Sequence, residues 1–215
     1  LNPEFARLTG TLRMFANLIR DPAWVRPAVS LPVPSGQAAI GPNHDVRRML
    51  VPLGPALVFG ASNFPLAYGV CGGDTASALA AGCPVIVKEH PAHPRTGRMI
   101  FHAAQAGIRQ AGVDVFALGY VEHGDPRDLS IAQELIREPA VAAVGFTGSL
   151  RGGEAVEKLA RERPCPIPVF AEMGSANPVL ITPRAMRARG EQIAQAIADS
   201  ILSRFGQQCT CPGII

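Results

Sequence analysis

The fold is decided by the stretch Ala56-Leu57-Val58-Phe59-Gly60-Ala61-Ser62-Asn63-Phe64-Pro65. Four apolar residues end at a glycine, and a polar turn and a proline follow them. A strand this short and this uniformly apolar is typical of a parallel sheet that is covered on both faces, because neither side of the strand meets water. The polar residues after the strand are therefore expected at the carboxyl edge of such a sheet.

The same pattern recurs along the rest of the chain. Further apolar runs predict strands at 84–88, 115–120, 140–146, 167–171 and 178–181. The segments between and after them predict helices at 66–81, 96–111, 129–137, 153–163 and 184–204. Strands that alternate with helices predict βαβ units, and hence an α/β fold built on a parallel sheet with helices on both faces. Ligands of such sheets bind beyond the carboxyl ends of the strands.

Two further segments precede this region. Apolar residues recur at helical spacing and predict an amphipathic helix over 4–20, and the Pro-rich segment 21–47 is interpreted as a connecting arm. The chain begins with Leu1 and ends on the apolar residues 213–215. We therefore expect both ends to be cuts through a longer protein.

The composition is that of a globular protein and argues against several classes of function. The 215 residues are 47% hydrophobic and carry a formal net charge of +3. The basic residues form no run and aromatic residues are few, so no nucleic-acid binding is expected. No apolar stretch is long enough to span a bilayer and no signal peptide is visible, so no membrane association is expected. The five cysteines lack the spacing of a disulfide framework, which indicates reduced thiols in a cytoplasmic protein.

Two polar residues follow the first two predicted strands. Asn63 lies between a strand end and a proline, where it could cap a turn or donate its side-chain amide to a developing oxyanion. Lys88 ends the second strand, where it could extend out of the sheet edge into solvent or contact a ribose or phosphate of a ligand. Each residue alone leaves both interpretations open.

Two later strands are followed by a glycine-rich loop and by a carboxylate. The loop over 145–153 leads from a strand into a helix, a setting that favours phosphate groups, although its spacing is a weak signal by itself. Glu172 comes directly after an apolar strand and before Gly174. It is either a solvated turn residue or a buried general base with a raised pKa.

The cysteines near the end of the chain are the candidate nucleophiles. Cys209 follows Gly206 in a turn after the last predicted helix, which favours an exposed reactive thiol over a core cysteine. Cys209 and Cys211 form a C-x-C pair, but the nearest histidine is His123, so no metal site is expected. The three remaining cysteines are interpreted as inert buried thiols: Cys71, Cys83 and Cys165.

The order of these motifs resembles that of the aldehyde dehydrogenase superfamily. Asn-Phe-Pro follows the first strand, Lys the second and F-T-G-S the fourth, and E-x-G-x-x-N-P and G-Q-x-C-T come next. The stretches 58–65, 67–82 and 88–94 are similar to bacterial α-ketoglutaric semialdehyde (2,5-dioxovalerate) dehydrogenases. NADP-linked fatty aldehyde dehydrogenases share much of the sequence of these stretches.

The resemblance implies a Rossmann-like cofactor domain and a role for each motif residue. Cys209 is the implied nucleophile, which forms a thiohemiacetal and then a thioester. The implied partners of its chemistry are Asn63, which donates to the oxyanion, and Glu172, which activates water. The residues implied to bind the cofactor are Lys88 at the adenosine ribose, Gly148, Ser149 and Gly153 at the pyrophosphate, and Gly174 near the nicotinamide.

The cofactor implied by the resemblance is NADP or NAD, with NADP favoured. NAD-preferring relatives commonly carry a glutamate three residues beyond the lysine, and this chain has Pro91 there. NADP-using relatives often have an arginine near the start of a later helix, and Arg127 is the candidate. The expected substrate is a small aldehyde, α-ketoglutaric semialdehyde first and a fatty or other aldehyde as the alternative.

The resemblance also implies two domains and an oligomer. Residues 1–171 are expected to form the cofactor-binding domain, and 172–215 the incomplete beginning of an α/β catalytic domain. Relatives assemble as homodimers or homotetramers, so the same is expected here. Two other hypotheses remain open from the residues: a nucleotide-binding module without turnover, and structural or metal-bound thiols at Cys209 and Cys211.

Overall fold

A computed structural model describes residues 3–32, 44–125 and 127–214. Two short strands pair antiparallel with each other: β1 (Ala28–Ser30) and β2 (Val46–Arg48). Five strands form a parallel sheet: β3 (Ala56–Phe59), β4 (Val85–Lys88), β5 (Leu118–Val121), β6 (Ala143–Thr147) and β7 (Val169–Glu172). The order across this sheet is β5-β4-β3-β6-β7. The predicted parallel α/β sheet is confirmed.

In the part of the chain that the structure describes, six helices accompany the strands. Their bounds are α1 (Pro3–Leu18), α2 (Gly73–Ala80), α3 (Pro94–Gln110), α4 (Ser130–Arg137), α5 (Leu150–Arg161) and α6 (Pro183–Leu202). Short 3-10 turns lie at Pro22–Val25, Val115–Ala117 and Ser203–Gly206. The helix predicted over 4–20 is thus confirmed as α1, with an earlier end.

The sheet has a hydrophobic core on each face. On one face, Val58, Val85 and Leu118 pack against α1, α2 and α3. On the other face, Leu57 and Val144 pack against α4 and α5. Side chains of a strand alternate between faces, so neighbouring apolar residues of β3 enter opposite cores. This explains why the strand reads as an uninterrupted apolar run.

The strand order creates a switch point at the carboxyl end of β3. From β3 the chain adds β4 and β5 on one side, and it then crosses back to add β6 and β7 on the other. The loops that follow β3 and β6 therefore part at this point and leave a crevice between them. The crevice is where a ligand of this sheet is expected.

The structure corrects two predicted elements. The helix predicted over 66–81 is shorter, because α2 begins only at Gly73 and the preceding residues form turns. Gly69 lies so close to the main chain that an added Cβ would be 2.1 Å from the Pro65 carbonyl oxygen. The strand predicted from 115 begins at 118, because the Asp114 carboxylate accepts a hydrogen bond from the Phe116 N–H at 2.9 Å and caps a 3-10 turn.

The segments at the two ends also differ from the predictions. The predicted arm contains β1 and β2, and its residues 33–43 lie outside the described residues. The predicted strand at 178–181 is a single bridge between Pro178 and Ile214. Helix α6 has non-helical backbone angles at Arg189, which mark a kink, and it ends at Leu202.

Candidate active site

Two cavities open side by side at the switch point. The strand-end groove, as we call the first, has a volume of about 440 Å³ and lies between the ends of β3 and β4 and the helices α4 and α5. The second, the thiol cleft, has a volume of about 880 Å³ and lies between the ends of β3 and β7 and residues 207–211. Both are lined by Ser62, Thr147, Gly148 and Ser149. The two cavities therefore meet at the loop between β6 and α5.

Lys88 ends β4 inside the strand-end groove and is only 7% exposed. Burial lowers the pKa of its ammonium group from 10.5 to about 8, and the neighbouring Glu89 carboxylate opposes this shift. The side chain thus does not extend out of the sheet edge into solvent. It lies where it can meet hydroxyl or phosphate oxygens of a ligand.

Glu89 is the one carboxylate among the described residues that line the groove, and its oxygens have protein partners. Oε1 accepts a hydrogen bond from the Tyr120 hydroxyl at 3.0 Å and lies 3.4 Å from Nε of Arg98. Oε2 accepts from the backbone N–H of His123 at 3.0 Å. Burial, followed by the hydrogen bond to Glu89, raises the pKa of the Tyr120 hydroxyl. Glu89 therefore serves the packing of the groove wall.

The loop between β6 and α5 brings main chain to both cavities. Oγ of Ser149 accepts a hydrogen bond from the Gly152 N–H at 3.2 Å and so caps α5. Gly148 lies against the Phe146 ring, where an added Cβ would be 2.7 Å from Cζ. The main chain can approach a ligand here, next to the N-terminus of a 12-residue helix, and phosphate groups favour that setting.

The thiol cleft brings together the three residues for which the sequence predicts catalytic roles. Cys209, Asn63 and Glu172 all line it. Cys209 is exposed, and Glu172 at the end of β7 is also exposed, so its carboxylate is solvated rather than buried. Nδ2 of Asn63 donates to the Gln207 carbonyl oxygen at 3.1 Å, which ties the end of β3 to the segment that carries Cys209.

Asn177 holds the same segment, although the sequence analysis assigned it no role. Its Nδ2 donates to the carbonyl oxygens of Cys209 at 2.6 Å and Cys211 at 2.9 Å. Its φ is 40°, in the left-handed region that asparagine tolerates better than most residues. The sequence signal that could have identified Asn177 is its place directly before Pro178, in the same motif as Glu172.

Asp74 is a second residue of the cleft that the sequence analysis did not identify. It lies in the first turn of α2, and its Oδ2 accepts a hydrogen bond from Oγ1 of Thr147 at 3.4 Å. Burial raises the pKa of its carboxyl group, the Thr147 hydrogen bond lowers it, and the nearby Glu172 raises it. The cleft therefore holds two neighbouring carboxyl groups, of which Asp74 is the more buried.

The remaining cysteines correct one prediction. Cys71 and Cys83 are buried, and burial raises the pKa of the Cys71 thiol to about 11. Cys165 is exposed, so the interpretation of it as a buried thiol is wrong; it lies in the turn after α5. Within the described part of the chain, no group of three histidine, cysteine or acidic residues could hold a metal ion.

The comparison with known proteins identifies the family. The model of the aldehyde dehydrogenase family matches residues 3–215. The chain belongs to this family. The resemblance inferred from the order of the motifs is thus confirmed, and so is the aldehyde dehydrogenase type of fold.

Two curated relatives of this aldehyde dehydrogenase chain are bacterial. α-Ketoglutaric semialdehyde dehydrogenase 2 of Azospirillum brasilense is 46% identical over 215 residues, which are 100% of this chain and 40% of the relative. The α-ketoglutaric semialdehyde dehydrogenase of Acinetobacter baylyi is 41% identical over 215 residues, again 100% of this chain and 40% of the relative. The chain thus spans about two fifths of their length.

A solved structure agrees on the fold. The NAD-dependent benzaldehyde dehydrogenase from Corynebacterium glutamicum superposes with a TM-score of 0.73 at 24% sequence identity, over 98% of this chain and 41% of that chain. In the part of this aldehyde dehydrogenase that the structure describes, no helix has the length and apolar character needed to cross a membrane.

The residues that the resemblance implies at a cofactor lie in different settings. Lys88, Gly148 and Ser149 line the strand-end groove, and Gly174 lines the thiol cleft. Gly153 packs inside the protein, where an added Cβ would be 2.2 Å from Sδ of Met173. Its position supports the loop by close packing of α5.

Arg127 is not among the described residues that line either cavity. Its side chain is 92% exposed, and its Nε lies 3.6 Å from Oδ1 of Asp125. The structure therefore does not bring Arg127 together with Lys88, and the arginine's predicted contact with a cofactor phosphate stays a prediction.

Proposed function

We propose that this chain carries the cofactor-binding and nucleophile-bearing part of an NAD(P)-dependent aldehyde dehydrogenase that oxidises α-ketoglutaric semialdehyde to α-ketoglutarate. One observation carries the proposal: the cleft lined by Cys209, Asn63 and Glu172 adjoins the groove lined by Lys88. A thiol, an amide donor and a carboxylate can supply the nucleophile, the oxyanion donor and the base. The substrate is inferred from the two relatives at 46% and 41% identity, which are both α-ketoglutaric semialdehyde dehydrogenases.

The proposed reaction divides the work among three residues. The Cys209 thiolate adds to the aldehyde carbon and gives a thiohemiacetal, whose oxygen takes up the negative charge. The Cys209 backbone N–H donates to this oxygen, and so does the second N–H of the Asn63 amide, because an amide has two and one is bonded to Gln207. A nicotinamide cofactor, when bound, supplies the acceptor for the hydride that leaves the thiohemiacetal carbon.

The last step releases the acid. Glu172 takes a proton from water, and the water attacks the thioester on Cys209 and frees the thiol. The exposure of the Glu172 carboxylate to the cleft supports this role, since water can reach it. Asp74, half-buried nearby, adds negative charge close to this base when ionised.

The groove suits the cofactor that the resemblance implies. Lys88 would hold hydroxyl oxygens of the adenosine ribose, the loop at Gly148 and Ser149 would hold the pyrophosphate, and Gly174 would lie near the nicotinamide. In this proposal residues 1–171 bind the cofactor and 172–215 begin the catalytic domain. Gly153 contributes through the packing of α5 against Met173.

We infer NADP as the favoured cofactor, with NAD also used. Pro91, which lines the groove three residues beyond Lys88, offers no carboxylate that would repel a 2′-phosphate. A fatty or other aldehyde is the alternative substrate, since NADP-linked fatty aldehyde dehydrogenases share much of the same motif sequence.

We also expect the protein to assemble as a homodimer or homotetramer. The antiparallel pair of β1 and β2 supports this expectation, because its apolar residues Val29 and Val46 are 61% and 52% exposed. Exposed strand edges with apolar side chains readily pair with another chain.

The proposal is tested by a rapid-mixing measurement of NADPH formation. We expect a burst of NADPH when the protein is mixed with NADP and α-ketoglutaric semialdehyde, and we expect Cys209→Ala to abolish it. Cys165→Ala is the matched control, because Cys165 is also an exposed thiol but lies outside both cavities, and this variant should keep the burst. Cofactor binding without a burst would instead indicate a nucleotide-binding module, and a burst that survives Cys209→Ala would contradict the assignment of the nucleophile.

A further inference from the structure

His123 is a buried histidine in the wall of the strand-end groove. The residue is 3% exposed, it follows β5, and it lines the strand-end groove. Neither Nδ1 nor Nε2 has a hydrogen-bond partner among the residues that the structure describes. A neutral imidazole carries one N–H donor and one acceptor, and buried polar groups of proteins are rarely left unpaired. An unpaired imidazole in a groove wall can therefore take its partner from a molecule that binds in the groove.

The surroundings of His123 indicate the charge of that ligand. Lys88 and His90 line the same wall, and burial, followed by the charges of His93, Lys88 and His123, lowers the pKa of His90 to about 4. These groups are therefore close enough to repel one another when protonated. Glu89, the one carboxylate among the described lining residues, is engaged by protein donors. The lining thus carries one ammonium group and two imidazoles against a single carboxylate, which suits an anion. The Asp128 carboxylate, which is exposed and lies outside the lining, also interacts with His123 through its charge.

The sheet order separates this wall from the loop proposed to hold the pyrophosphate. His123 follows β5 and Lys88 ends β4, whereas Gly148 follows β6 on the far side of β3. An anionic group at His123 is therefore distinct from the pyrophosphate proposed at Gly148. On a nicotinamide dinucleotide, the anion beyond the pyrophosphate at the adenosine end is a phosphate on the ribose.

We propose that His123 is a specificity residue, whose ring N–H donates to the phosphate on the adenosine ribose of the cofactor beside Lys88. This inference rests on the proposed function, because it assumes that the groove binds a nicotinamide dinucleotide. It adds a residue that tells NADP from NAD.

Binding of two adenosine nucleotides by calorimetry tests the inference without need for turnover. We expect His123→Asn to weaken 2′,5′-ADP by about tenfold, the loss of one hydrogen bond to a charged group, and to leave 5′-AMP within about twofold. His102→Asn is the matched control, because His102 is an exposed histidine on α3 outside the groove, and it should change neither affinity. Equal changes for both nucleotides, or no change for either, would overturn this inference alone. Wild-type protein that binds neither nucleotide would overturn the proposed function as well.

A second measurement does not depend on the variant. In protein with ¹⁵N-labelled histidine, assigned through bonds, the ring signals of His123 should move on addition of 2′,5′-ADP and stay in place with 5′-AMP. Only five histidines are present, so the signals can be followed individually. Unmoved His123 signals at saturating 2′,5′-ADP would overturn the inference.

Discussion

Lys88 holds a positive charge that the fold has largely removed from water. The ammonium group loses hydration on folding, and this loss lowers its pKa to about 8. Below pH 8 the folded protein must keep the charge at a cost that the unfolded chain does not have. Between about 8 and 10.5 the unfolded chain binds more protons than the folded one, so stability rises with pH in this window. A cost of this kind supports the proposed role of Lys88 in binding the cofactor.

Replacement of Lys88 by methionine should therefore stabilise the protein in a pH-dependent way. We expect Lys88→Met to raise the free energy of unfolding by about 2 to 3 kcal/mol at pH 7, and this gain to shrink towards zero as the pH approaches 10.5. Urea denaturation at several pH values measures it. The only other lysine, Lys158, is a matched control, because its side chain is 73% exposed, and Lys158→Met should have little effect at any pH. A gain that does not depend on pH would contradict the argument.

Single residues also show what could be predicted from the sequence. Lys88 and Glu172 end strands and Asn63 lies in the turn after one. Since parallel strands end at one edge of the sheet, their proximity was predictable from order alone. Asn177 and Asp74 were not identified, because their roles depend on hydrogen bonds to segments far away in the sequence. The burial of Lys88 and the exposure of Glu172 also could not be predicted, because they depend on how the whole chain packs.

At the scale of elements, the start of α5 is fixed by close packing against Met173. An added Cβ at Gly153 would lie 2.2 Å from Sδ and 2.5 Å from Cγ of Met173. Either the Met173 side chain or α5 must then move, and both contribute to the lining of the cavities. The glycine thus sets the distance between the two elements.

Gly153→Ala should lower the free energy of unfolding by about 1 to 3 kcal/mol, through overpacking. Gly107→Ala in α3 is the matched control, because Gly107 has nothing within 4 Å of an added Cβ. That change should instead stabilise by about 0.5 to 1 kcal/mol, since alanine favours helices. Urea denaturation gives both values, and Met173→Ala combined with Gly153→Ala should recover part of the loss. Changes of the same sign in the two glycine variants would contradict the packing argument.

Helices and strands with a strong apolar pattern were predicted correctly. Those whose bounds are set by local hydrogen bonds and turns were not. The runs at β3 and β4 were predicted nearly to the residue, because both strands are buried on each side. The stretch 66–72 has helical apolar spacing, but its glycines allow a close main-chain turn that spacing does not show. β1 and β2 escaped prediction because three-residue strands with exposed side chains leave little pattern.

At the scale of the whole molecule, apolar burial is concentrated in the sheet and in the helices that cover it. None of the residues of α6, all of which the structure describes, is buried. Leu180 before α6 is 93% exposed and Phe205 after it is 96% exposed. By contrast, α3 packs Phe101 and Ile108 against a core. Opening of a segment costs less free energy when it buries fewer apolar contacts.

Hydrogen exchange measured by mass spectrometry should therefore divide the chain near residue 172. We expect peptides from Pro183–Leu202 to exchange at least about 100-fold faster than peptides from Pro94–Gln110, although both helices have similar length. Peptides that cover β3, β4 and β6 should be the slowest, because these strands have neighbours on both sides. Addition of NADPH should slow exchange in the β6–α5 loop. Equal protection of α6 and α3 would show that the segment after β7 belongs to the same cooperative unit as the sheet, and it would contradict the proposed boundary between residues 1–171 and 172–215.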